Sequence, residues 1–291
     1  MQTAAELFAL LPYPVFDPVA FSIGPVSVRW YGLAYVAGIL LAWQIAERMV
    51  ASERLWPDNR LPMEKGALGD FIVWATLGIV LGGRLGYVLI YDLDRTLSDP
   101  LSALQIWHGG MSFHGGLAGT LIAMLLFARR NGIRTWSLID TVCSVAPVGI
   151  FFGRIANFIN GELWGRAADV PWAMVFPTGG PVPRHPSQLY EAGMEGVLLL
   201  LVLQVLAWRT DVLKHPGRLA GIFACGYGLA RIVSEFFREP DANLGYLGGG
   251  WLTMGMILSL PLILAGIWAM VQAGRQAPPK GEAARGNGGQ E

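Results

Sequence analysis

Between residues 153 and 165 the chain reads Gly-Arg-Ile-Ala-Asn-Phe-Ile-Asn-Gly-Glu-Leu-Trp-Gly, which sets Arg154, Asn157, Asn160 and Glu162 within nine residues. An apolar run, 138–152, precedes them and reads as membrane-spanning. A charge inside a bilayer costs roughly 2.5–3.5 kcal/mol on insertion scales and more in simulations, so an arginine here needs a purpose. On a helix Arg154 and Asn157 stand three apart and share a face. The neighbouring glycines let another backbone or a bulky ligand come close. Two uses are open. Arg154 is either a structural arginine paired to a buried carboxylate, or part of an anion site at the membrane surface.

His114 is the next candidate. It sits in Trp-His-Gly-Gly-Met-Ser-Phe-His-Gly-Gly (107–116), between glycine pairs that are expected to keep its surroundings open. A histidine so placed suits proton transfer; the plainer alternative is a satisfied bundle residue. His108, in the same stretch, reads as a loop residue and takes no assignment. His185 lies in Arg-His-Pro-Ser-Gln-Leu-Tyr-Glu (184–191), ahead of a further apolar run whose N-cap Ser187 is expected to supply. Arg231 and Glu235 are spaced i, i+4 and can pair with each other, without excluding a second task for Arg231. The sequence has no Cys/His cluster, no His-Glu-x-x-His and no carboxylate cage, so no metal is expected. The glycines around Arg84 lie within an apolar run and not after a strand, so no phosphate loop is expected either.

The elements that carry these residues are membrane helices. At 291 residues, 53% hydrophobic and 14% charged, the chain is unlike a soluble domain. Its 38 glycines and 11 tryptophans fit close helix contacts and interfacial aromatic belts. A net charge of zero with no basic block excludes nucleic acid as a partner. Cys143 and Cys225 fall in apolar runs and read as small core residues. A short apolar segment, 4–11, broken by Pro12 and Pro14, is expected to lie in the interface. Seven longer apolar stretches follow, at 28–46, 67–91, 110–128, 138–159, 189–208, 219–237 and 250–271. Each is close to the ~20 residues a spanning helix needs. No Lys or Arg precedes Arg29, which argues against a cleaved basic leader, so insertion is expected through these helices.

Orientation follows from the positive-inside rule. With the N-terminus outside, the cytoplasmic segments hold thirteen basic residues: Arg48, Arg54, Arg60, Lys65, Arg129, Arg130, Arg134, Arg209, Lys214, Arg218, Arg275, Lys280 and Arg285. The outer segments hold four, Arg95, Arg166, Arg184 and Arg238. The fold expected is therefore all-α and integral to the membrane, with seven transmembrane helices, N-terminus outside and C-terminus cytoplasmic. One domain covers 1–273, with an interfacial start at 1–27 and an outer arm at 160–187, followed by a disordered cytoplasmic tail at 274–291. In that topology Arg84, Arg154 and Arg231 fall in the outer halves of their helices, with Tyr31, His114 and Glu162 also near the outer face. Scattered structural charges would not gather at one depth.

At these residues the chain resembles the bacterial prolipoprotein diacylglyceryl transferases. The likeness is carried by residues 152–165, 109–117, 28–33 (Val-Arg-Trp-Tyr-Gly-Leu), 184–191 and 226–240, in the family's order, and runs from Phe16 to the seventh stretch. The resemblance implies a seven-helix inner-membrane protein with its site on the periplasmic side. It implies transfer of the diacylglyceryl group of phosphatidylglycerol to the lipobox cysteine of a prolipoprotein signal peptide, giving a thioether and glycerol 1-phosphate. By the same resemblance Arg154, Asn157, Glu162 and Gly165 belong to the signature, with Arg154 on the lipid head group. His114 matches the histidine proposed as base, Tyr31 an essential tyrosine, and Tyr227, Arg231 and Glu235 a functional group on the sixth helix. His185 joins the lipid-binding set. No cofactor is implied.

The residue types agree with that chemistry. A cysteine thiol, pKa about 8.5, must lose its proton to become a good nucleophile. The leaving phosphate gains charge as its C–O bond breaks, and arginine holds phosphate through paired hydrogen bonds. Such contacts are worth more in a water-poor site than at a surface. The alternative from another class is a transporter of an anionic solute. A faint repeat, Gly83-Arg84-Leu85-Gly86-Tyr87 against Gly153-Arg154-Ile155-Ala156-Asn157, is its only support, without an obvious inverted duplication.

Overall fold

The computed structural model describes residues 11–14, 16–240, 245–247 and 249–275. Residues 4–10 of the expected interfacial segment and 276–291 of the expected tail lie outside them. Each of the seven apolar stretches is helical: α1 Trp30–Val50, α2 Ala67–Tyr91, α3 Phe113–Arg130, α4 Thr135–Ile159, α5 Ser187–Arg209, α6 Arg218–Glu235 and α7 Met254–Gly274. Five of them, α1, α2, α4, α5 and α7, are long and apolar enough to cross a membrane. The other two have 18 residues each and are more polar, α3 ending on Arg129 and Arg130 and α6 carrying Arg218, Arg231 and Glu235. The chain is thus mainly helical and integral to a membrane by composition.

The start of the chain departs from an all-α reading. Val19–Ile23 (β1) and Val26–Arg29 (β2) pair antiparallel in register Ile23↔Val26, Ser22↔Ser27 and Phe21↔Val28, with Gly24 at φ +59° in the turn. Positive φ costs glycine little, which is why the chain can reverse there.

The chain divides into two compact units, Glu47–Thr141 and Met1–Ala46 with Val142–Glu291. In the first, α2 and α3 pack backbone to backbone. Gly78, Gly82 and Gly86 recur every fourth residue and face Gly115 and Gly119; a Cβ on Gly82 would lie 2.8 Å from the Gly119 Cα, and one on Gly86 2.8 Å from the Gly115 Cα. Small residues in this pattern let membrane helices approach closely. Gly82→Val should therefore cost stability at or above the upper end of the ~1–3 kcal/mol seen for overpacking, since the neighbour is backbone and cannot rotate away. A melting curve in detergent checks this; an unchanged midpoint would refute the packing role.

Two features of this unit have local structural reasons. The glycines around His114 serve backbone geometry and packing: Gly109 and Gly110 take φ of +84° and +79°, Gly110 lies against Tyr87 and Arg84, and Gly115 sits on α2. They do not demonstrate an open space. Arg84 is also unlike Arg154. It donates to the backbone oxygens of Ser102 (2.5 Å), Ala103 (2.8 Å), Gly109 (2.9 Å) and Gly110 (3.0 Å), so it pins a loop.

In the second unit α1 meets α4 where Gly38 touches Phe152, and α6 meets α7 where Gly221 and Gly266 face each other. The Tyr13 hydroxyl lies 2.7 and 3.0 Å from the Phe158 and Ile159 carbonyl oxygens, satisfying acceptors that the end of α4 would otherwise leave bare; burial raises its pKa. The segment between α4 and α5 turns through Gly161 (φ +65°) and Leu163 (φ +57°). It is tied to α6 by Arg166, whose Nε donates to Arg238 O at 2.9 Å and Nη2 to Glu235 O at 2.7 Å. Cationic side chains on the last carbonyls of a helix also suit its dipole. Cys225 Sγ donates to the Ile263 carbonyl at 3.5 Å, in keeping with a packing residue.

Candidate active site

α5 supplies what the sequence reading passed over. Glu191 and Glu195 are i, i+4 on an otherwise apolar helix, with side chains 1% and 0% exposed. Isolated carboxylates would not remain ionised at such burial without partners. Three arginines answer them. Arg154 on α4 places Nε 2.7 Å from Glu191 Oε2, and its Nη2 donates to Glu195 Oε2 at 3.2 Å. Arg231 on α6 pairs through Nη2 with Glu235, and its Nη1 lies 3.5 Å from Glu191 Oε1 and 3.9 Å from Glu195 Oε1. Arg238 Nη1 donates to Glu191 Oε1 at 3.4 Å.

Three arginines thus balance three glutamates, and Glu191 touches all three guanidinium groups. Removing one partner of such a cluster typically costs about 3–5 kcal/mol, because a charge is left uncompensated. Glu195 lies inside a π-helical segment, Ala192–Leu198. Wide turns of this kind recur at functional sites because they re-aim side chains within a helix. Gly196 permits it by letting α5 press on Phe151 of α4.

The pairing leaves three atoms without a hydrogen bond. Arg231 Nη1 and Glu195 Oε1 are buried without one and face each other at 3.9 Å. Among the described residues, Arg154 Nη1 also has no protein acceptor, while its side chain is 17% exposed. Arg154 thus keeps Nη1 uncommitted, whereas Arg231 Nη1 is turned toward Glu191 and Glu195. Tyr227 on α6 lies within electrostatic reach of both arginines and of Glu191 and Glu195.

The signature residues after Arg154 form a second group. Asn157 Nδ2 donates to Glu162 Oε1 at 2.9 Å, Asn160 Nδ2 to the same oxygen at 3.4 Å, and Gln188 Nε2 to the Glu162 backbone oxygen at 2.7 Å. Glu162 is thereby fixed through one carboxylate oxygen. The Tyr31 and Tyr35 hydroxyls are 3.3 Å apart on α1, and Glu162 acts electrostatically on Tyr35. Gly165 has a packing reason: a Cβ there would come 2.7 Å from His185 O. His185 Nδ1 lies 3.1 Å from the Tyr190 hydroxyl, which also accepts from Trp172 Nε1 at 2.6 Å, and its ring meets Phe237 edge-on. Burial, then the Arg166 charge, pushes the His185 pKa below the usual histidine range. The expected cap is corrected: Pro186 occupies the N-cap position, and Ser187 Oγ donates to Leu163 O at 3.1 Å instead. His114 is carried by the other unit, exposed at the second residue of α3.

Residues 18–272 match the family model described as prolipoprotein diacylglyceryl transferase. Curated proteins named phosphatidylglycerol–prolipoprotein diacylglyceryl transferase are similar along nearly their whole length. One from Rhizobium leguminosarum bv. trifolii is 66% identical, covering 95% of this chain and 99% of the relative. One from Allorhizobium ampelinum is 63% identical over 97% and 99%, and one from Agrobacterium fabrum 59% over 94% and 98%. The chain belongs to the prolipoprotein diacylglyceryl transferase family.

It is a transferase of lipoprotein biosynthesis, and the resemblance read from its motifs holds. Within this transferase, Arg154 is paired to buried carboxylates, the first of the two uses weighed for it, and its Nη1 has no acceptor among the described residues. Glu195 and Arg238 entered neither list of candidates, and Glu191 appeared only as the end of a motif. The signal was present: two acids four apart inside an apolar run are as costly as an arginine and call for the same explanation.

Proposed function

We propose that the chain moves the diacylglyceryl group of phosphatidylglycerol onto the lipobox cysteine of a prolipoprotein, releasing glycerol 1-phosphate. The cysteine sulfur attacks the diacylglyceryl carbon that bears the phosphate ester. A C–S bond forms, the C–O bond breaks with its electron pair going to the phosphate, and the thiol proton passes to a base. The observation that carries this is the anchored Arg154 guanidinium, whose Nη1 has no acceptor among the described residues, beside Arg231, which faces the same two carboxylates. Arg154 and Arg231 hold the phosphate, neutralising charge as it develops. Glu162, fixed by Asn157, orients the head group, with Tyr31, Tyr227, Glu235, Gly165 and His185 shaping the lipid site and His114 as proton acceptor.

In this reading 1–273 is one seven-helix domain of the bacterial inner membrane, N-terminus outside, with the arm 160–187 and the site on the periplasmic side. The partners are phosphatidylglycerol and signal peptides with a lipobox cysteine; nucleic acid has no part. In proteoliposomes containing phosphatidylglycerol, mass spectrometry of a lipobox peptide should show the diacylglyceryl adduct. Solute flux without a covalent product would mean a transporter. Single cysteines at positions 114 and 162, in a Cys-free background, should react with an impermeant thiol reagent from outside; labelling only from the cytoplasmic side would overturn the topology.

A further inference from the structure

The two acids of α5 do more than neutralise charge. A guanidinium group offers two edges for paired hydrogen bonds, the Nε–Nη2 side and the Nη1–Nη2 end. In Arg154 the side is taken by two different carboxylates, with Nε 2.7 Å from Glu191 Oε2 and Nη2 3.2 Å from Glu195 Oε2. Glu191 touches three arginines, and Glu195 and Glu235 supply the rest of the charge that it cannot balance alone. Glu195 is spaced differently. Among the described residues only Arg154 hydrogen-bonds it, its Oε1 lies 3.9 Å from Arg231 Nη1 without a hydrogen bond, and it stands inside the π-helical segment. A buried carboxylate oxygen without a hydrogen bond carries a desolvation cost, so the placement of Glu195 against Arg154 is informative.

We propose that Glu195, with Glu191, is a positioning residue: the two carboxylates hold the side edge of Arg154 so that its Nη1 end meets one particular non-bridging oxygen of the lipid phosphate. This rests on the transferase reading above. Neither acid touches the reacting atoms. What they determine is which phosphate oxygen the guanidinium addresses, and a fixed donor is worth more than a mobile one.

The test uses the two P-chiral phosphorothioate diastereomers of phosphatidylglycerol, each with sulfur in place of one non-bridging oxygen. The ratio of turnover on the two does not depend on how much protein is folded. The parent should favour one diastereomer by ~10-fold or more, the scale of one charge-assisted hydrogen bond. In Glu195→Gln the ratio should fall toward one. If that variant does not fold, Glu195→Asp keeps the charge and shifts only the aim, and its ratio should fall likewise. A parent that uses both diastereomers equally, or a variant that keeps the parental ratio, overturns the inference. Absence of any adduct from the parent with ordinary phosphatidylglycerol would instead defeat the transferase reading itself.

Discussion

Arg154→Lys will leave the protein in the membrane and lower turnover by about 10²–10³-fold, the scale seen when one fixed donor to a developing oxyanion is removed. Charge is conserved in this exchange, so the effect isolates geometry. The guanidinium spans Glu191 and Glu195 with two nitrogens and keeps a third unused. An ammonium is a single point with three donors, and if it sits between the acids it cannot also reach outward to a phosphate. Arg231→Lys should be milder, because the lysine can keep the neighbouring Glu235, its tightest partner, in the same helix. Initial rates on a lipobox peptide, with melting in detergent as the folding control, decide it. Near-parental turnover in Arg154→Lys would reduce this residue to charge balance.

The helices were legible because the apolar stretches lie near the length a bilayer demands, five of them long and apolar enough to cross it, and glycine abundance correctly announced close helix contacts. The hairpin lies largely within 1–27, expected only as an interfacial start, although Gly24-Pro25 between alternating residues is a turn signal. Arg154 was found from its cost in a membrane, yet the same cost should have exposed Glu191 and Glu195. A regular helix would set them on one face, but no local pattern signals the π-helical turn that holds Glu195. Ser187 failed as a cap for a physical reason. The helix begins at Ser187 itself, with Pro186 in the N-cap position, so the hydroxyl is inside the first turn and reaches back to Leu163. Arg84 and Arg154 share a local motif, but their partners come from distant segments, neutral carbonyls for one and carboxylates for the other. Local spacing cannot carry that difference.

His114→Gln is the second large effect, and it separates two tasks for the same side chain. Since Gly110 and Gly115 are explained by packing and turn geometry, these two glycines do not by themselves argue for a chemical role. What remains is an exposed imidazole with no hydrogen-bond partner among the described residues, at the start of a helix whose N-cap, Ser112, accepts from Gly115 N at 3.2 Å. The cap is independent of His114, so glutamine should be tolerated in the fold. If His114 takes the thiol proton, turnover should fall by roughly 10²–10⁴, the usual scale for losing a general base. That deficit should shrink as pH rises toward the thiol pKa near ~8.5, because solvent then supplies thiolate without help. If His114 instead holds the head group, the substitution should raise KM for phosphatidylglycerol, and its pH profile should run parallel to that of the parent. The measurement is turnover against pH for both proteins at saturating lipid. A constant ratio from about pH 6 to 9, across the range in which thiolate becomes abundant, would remove His114 as the base while leaving the arginine cluster, and the transfer it supports, in place.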